Sequence, residues 1–138
     1  MRAIFAASLA GAAGLVAGAM GMSALQAQTA EPQAYLVSNI VEVKDPDLLK
    51  KYQAQAPATQ VPFGGHALVR AATPQPLPGQ SGGWSNAAPP KGAIVIVAFP
   101  SMKNLLAWWS SPAYAAVRSQ RETATTGVAY AVLGTPPP

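Results

Sequence analysis

Ala93-Ile94-Val95-Ile96-Val97-Ala98-Phe99 is the stretch on which the fold turns. It is an unbroken apolar run rich in β-branched residues, short enough to be a strand and closed by Pro100. Side chains alternate along a strand, so Ala93, Val95, Val97 and Phe99 face one way and Ile94, Ile96 and Ala98 the other. Both faces are apolar, and both need cover.

Downstream, Ser101 is placed to cap a helix carrying Met102, Leu105, Leu106 and Trp109 on one stripe. Ser111-Pro112 repeats the pairing of an N-cap with a first-turn proline. The helix is therefore expected to kink or restart there, run to about Thr125, close at Gly127 and give way to a last strand over Val128 to Leu133. Upstream, Thr73 to Gly92 is a long loop rich in proline and glycine. Before it lie a short strand, His66 to Ala72, and the punctuation of Gly64-Gly65. Asp45-Pro46 opens a helix on which Leu48, Leu49, Tyr52 and Ala56 recur, and Pro57 and Pro62 are expected to stop it. Ala34 to Val43 reads as the first strand.

The order is β-α-β-β-α-β, which predicts an α+β, ferredoxin-like fold: a four-stranded antiparallel sheet with two helices on one face. The first and third strands are central in that topology, and here they are the most apolar. Two helices cover one face only. A chain of 138 residues has little left for the other, so the sequence predicts a homodimer packed through the sheet face.

The N-terminus reads separately. After Arg2, Ile4 to Leu25 carries no charge and leads into Ser23-Ala24-Leu25-Gln26-Ala27. This is the pattern of a secretory signal peptide over residues 1–27, cleaved near Ala27, and it predicts a periplasmic or secreted protein with no stable membrane association after cleavage. An uncleaved N-terminal membrane anchor is the alternative. Residues 28–33 form a short tether, 34–134 the domain, and 135–138 a proline-rich tail. Without Arg2 the basic residues fall from nine to eight against five acidic ones, a net charge of about +3. These charges are scattered rather than gathered into the stripe that nucleic acid requires, so no nucleic-acid partner is expected. With no cysteine, one histidine and five dispersed carboxylates, no metal site is expected either.

From Ala34 through Gly134 the chain resembles the bacterial domain-of-unknown-function 1330 family, within the dimeric α/β-barrel superfamily. The residues that carry the resemblance are Ala34-Tyr35-Leu36-Val37, Asp45-Pro46, Phe63-Gly64-Gly65 before Leu68-Val69-Arg70, and Gly83-Trp84. Val95 to Ser101 and Trp109-Ser110-Ser111-Pro112-Ala113-Tyr114 followed by Arg118 complete the set. Arg70-Ala71-Ala72 departs from the Arg-Gly-Gly usual at the end of the second strand. The resemblance implies the fold and the dimer. It implies no chemistry, because a fold does not fix a function.

His66, the only histidine, is the acid–base candidate. On unbroken alternation His66, Leu68 and Arg70 share one face, so that His66 and Arg70 could reach one anionic ligand. The structural alternatives are an edge-strand histidine and an arginine paired to an acid. Tyr35 and Asn39 share a face of the first strand, Asn39 being an unexpected amide between Val37 and Val41. Trp84 either covers a pocket or anchors its loop. Trp108 and Trp109 point about 100° apart on a helix, so one can be core while the other lines a cleft or the dimer seam; Trp109 is the expected core residue. Tyr114 and Arg118 share a helical face, and Arg121 and Glu122 read as solvated surface.

Two functional readings follow. One is an exported domain that binds a small, partly apolar, anionic ligand between sheet and helices, with Tyr35, Asn39, Arg70, Trp84, Trp108 and Trp109 as wall and carboxylate partner and no cofactor. The other comes by analogy with the superfamily: a cofactor-poor or haem-associated monooxygenase or isomerase using Asn39, Trp108 or Trp109, and His66.

Overall fold

Strand β1 (Ala34–Val43) ends where Asp45 turns the chain into helix α1 (Pro46–Gln60). The Asp45 carboxylate accepts the backbone N–H of Leu48 at 2.9 Å, which satisfies one of the donors a helix start leaves free. The computed structural model describes residues 31–79 and 89–136. Residues 1–27, read above as a signal peptide, and Trp84 lie outside the described residues. After a 3-10 turn (Val61–Phe63) come strands β2 (His66–Ala72) and β3 (Ala93–Phe99). Helices α2 (Met102–Trp109) and α3 (Pro112–Ala124) then lead into β4 (Thr125–Leu133).

The sheet is antiparallel, in the order β2-β3-β1-β4, so the two most apolar strands are central. Ala34, Leu36, Val97 and Phe99 meet Leu105, Trp108 and Tyr114 in one buried core on the helical side. Trp108 is its centre, stacked 3.8 Å from the Tyr114 ring and 5.2 Å from Phe99. Its indole N–H is satisfied by the Thr59 hydroxyl at 3.0 Å, which in turn donates to the Ala56 carbonyl. Gly65 is required at the turn into β2: a Cβ there would lie 2.5 Å from a Phe99 ring carbon. No helix of the described residues is long and apolar enough to cross a membrane.

The restart expected at Ser111-Pro112 is present: the chain breaks at Ser110 and Ser111 caps a new helix through the Tyr114 N–H at 3.2 Å, so the described residues form three helices. The structure corrects several expectations. Pro57 does not stop α1 but lies inside it. There it removes only the bond to the Gln53 carbonyl, while packing of the helix onto the sheet carries the rest. Gly127 does not close a helix. Thr125 ends α3 through its hydroxyl bond to the Arg121 carbonyl at 2.8 Å, and Gly127 sits inside β4 opposite Ile40. The buried tryptophan is Trp108, fully covered, rather than Trp109, because Leu105 and Trp108 are the pair that α2 turns toward Phe99.

Candidate functional site

Among the described residues, three recesses stand out between the sheet and the helices, and two of them hold an arginine. The largest, about 370 Å³, runs along α1 above β2 and β3. Leu49, Tyr52 and Ala56 form its helical wall and Val95 and Val97 its floor, with Gln60 and Arg70 along its length. The ion pairs among the described residues join Arg118 and Arg121 to Glu122, at 3.4 and 3.7 Å. Arg70 takes no part in them and is exposed, so its guanidinium is free to meet an anion at an apolar groove.

Arg70 arrives there through an irregularity. His66 pairs with Ala98 and Ala67 with Val97, but the next pair is Val69 with Ile96. Two residues of β2 thus oppose one step of β3, a bulge that reverses the alternation beyond it. A second shift precedes Ala72, where Ala71 adopts a positive φ of 50°. Arg70 therefore lies on the helical side, while His66 stays with Ala98 on the open side. The expected sharing of one face by His66 and Arg70 is overturned.

The other expected site residues separate in the same way. Tyr35 pairs with Ala98 and Asn39 with Ile94, which sets both on the open face. The Tyr35 hydroxyl donates to Gln33 at 3.0 Å, and Asn39 Oδ1 is buried without a hydrogen-bond partner among the described residues. Trp108 is core. Trp109 lines a separate cleft of about 230 Å³ with Leu36, Leu105 and Leu106. The sheet thus stands between Asn39 and His66 on one side and both tryptophans on the other, and the set needed by the haem or monooxygenase reading does not converge within the protomer.

The family model for the Domain of unknown function (DUF1330) matches residues 33–135. The chain belongs to this family. Among solved structures the DUF1330 domain is similar to the RPA0582 protein of unknown function from Rhodopseudomonas palustris. Identity is 12%, the TM-score 0.54, and the match covers 89% of this chain and 98% of that one. A crystal structure of methylated RPA0582 protein gives 11% identity and a TM-score of 0.54, covering 90% and 96%. At such identities the likeness speaks for the fold alone. No curated protein matches the DUF1330 chain.

The third recess of the DUF1330 domain, about 300 Å³, lies between α3 and strands β1 and β4, with Ser38, Arg121, Glu122 and Thr125 in its wall. Its arginine is already engaged. Arg121, read from sequence as solvated, has a side chain only 14% exposed; it donates to the Tyr114 hydroxyl at 3.1 Å and lies 5.4 Å from the Trp109 ring centre. Burial raises the Tyr114 phenol well above its ordinary range, with Tyr52 adding to the effect, so Arg121 meets a neutral acceptor. Arg118 shares Trp109, at 5.2 Å. The Glu122 carboxylate and the C-terminal end of α3 both oppose an anion in this recess.

Sequence reading missed Gln60. It is 7% exposed, lines the α1 groove, and its side chain makes no hydrogen bond among the described residues. A signal for it was present: Leu49, Gln53, Ala56 and Gln60 continue one helical stripe, on which a glutamine is out of place unless it meets something polar. Among the described residues no group of three or more His, Asp or Glu side chains is placed to hold a metal ion.

Proposed function

We propose that this domain binds a small, partly apolar carboxylic acid in the groove between α1 and strands β2 and β3, with Arg70 as the carboxylate partner. The observation that carries this reading is a guanidinium without an ion-pair partner among the described residues, at a groove walled by Leu49, Ala56, Val95 and Val97. An apolar slot with one fixed charge is the usual form of a small-acid site. Export through residues 1–27 would place this binding outside the cytoplasm, and a second copy packed on the open sheet face completes the proposed species.

The experiment is calorimetric titration of benzoate. A charge-assisted hydrogen bond contributes about 1.5–3 kcal/mol, so Arg70→Ala should weaken benzoate binding by about 10- to 100-fold. His66→Ala, altered on the opposite face, should bind like the parent. Unchanged affinity in Arg70→Ala would remove the proposed role of Arg70.

A further inference from the structure

The groove has a second polar feature, set apart from Arg70. Helix α1 runs toward the turn at Gly64-Gly65, where the Gly65 N–H bonds the Gln60 carbonyl at 3.0 Å, so Gln60 lies beside the start of β2. Ala67 lines the groove near that end and Arg70 near the other. Three residues of strand separate them, a span of about 10 Å. Of the other lining residues, Ala56, Val95 and Val97 offer no polar side chain, the Tyr52 hydroxyl meets that of Tyr114, and Gln53 is exposed to solvent. Gln60 is 7% exposed as a residue and lines the groove, and its amide atoms are not among the side-chain atoms shut away without a partner, so the amide is open to offer a donor and an acceptor to whatever fills the groove. Pro57, on the same wall, has no N–H to give the Gln53 carbonyl, which leaves another acceptor on this side of the helix.

We infer that the groove takes a carboxylic acid with a single flat ring and a hydroxyl at the far end, the carboxylate meeting Arg70 and the hydroxyl meeting Gln60. The inference rests on the carboxylate reading above and adds the second recognition point. A hydroxyl both donates and accepts, which is what a primary amide complements, whereas an apolar tail would cover the amide and leave it unpaired. The separation of the two polar ends suits one ring rather than a fused pair. A layer between helix and sheet suits a flat body over a branched one.

The test compares benzoate, 4-hydroxybenzoate and 4-methoxybenzoate by calorimetry on the protein. One net hydrogen bond gives a preference of about 2- to 10-fold for 4-hydroxybenzoate over benzoate. The methoxy compound, which cannot donate, should lose that preference, and this arm needs no variant. Gln60→Leu and Gln60→Met should bring the hydroxy-to-plain ratio to about one while benzoate still binds. Equal binding of benzoate and 4-hydroxybenzoate by the parent, or a preference kept in a folded Gln60 variant, overturns the assignment of Gln60 and leaves the Arg70 reading standing. Failure of all three acids to bind the parent overturns the Arg70 reading, and this inference with it.

Discussion

Trp108→Ala is expected to cost the domain about 3–5 kcal/mol, the range for truncating a buried aromatic. Domains of this size are stable by only about 5–15 kcal/mol in total, so the variant should be largely unfolded or melt far below the parent. The loss has three sources. The indole is fully buried and packs on Phe99 and Tyr114, so its removal opens a cavity where the sheet meets α2 and α3. The Thr59 hydroxyl loses the N–H it accepts. Tyr114 loses the ring that holds its phenol between Tyr52 and Arg121. Trp109→Ala should cost clearly less, because Trp109 is only half-buried and lines a cleft. Circular dichroism melts of both variants check this; equal losses would contradict a core centred on Trp108.

Tyr130→Glu is expected to turn a dimer into a monomer without unfolding it. β4 carries Val128, Tyr130 and Val132 on the open side of the sheet, 58%, 53% and 41% exposed in the single protomer. With Val37 and Ile96 beside them they make an apolar face that a second copy is proposed to cover. In a lone protomer a glutamate at position 130 faces water and costs little. In a two-fold interface it appears twice, buried and unpaired, a mechanism that costs about 3–5 kcal/mol for each broken or stranded charge. Light scattering should give two copies for the parent at micromolar concentration and one for the variant, with unchanged circular dichroism. A monomeric parent would contradict the dimer.

The elements were legible in the sequence because their signals are local. Asp45, Ser101 and Ser111 cap the helices they were expected to cap, and Ala93–Phe99 forms the third strand. The site was less legible because it depends on parity and phase. One extra residue between Ala67 and Val69 moves Arg70 to the other side of the sheet, and nothing in His66 to Ala72 announces a bulge. The restart at Ser111 shortens α2 to two turns, too few for periodicity to choose between Trp108 and Trp109. Arg121 looked solvated because Trp109, whose ring it lies over, belongs to the preceding helix, and because Tyr114, two turns back on its own helix, becomes a partner only once it is buried in the core.

The account stands on the groove beneath α1 as the place where an acid binds. Amide chemical-shift mapping of benzoate on the protein tests this most directly. Perturbations gathered on Gln60, Ala67, Arg70, Ala71, Val95 and Val97 are the predicted result. Perturbations confined to the open face around Asn39 and Tyr130, or to the recess of Ser38 and Thr125, would contradict it.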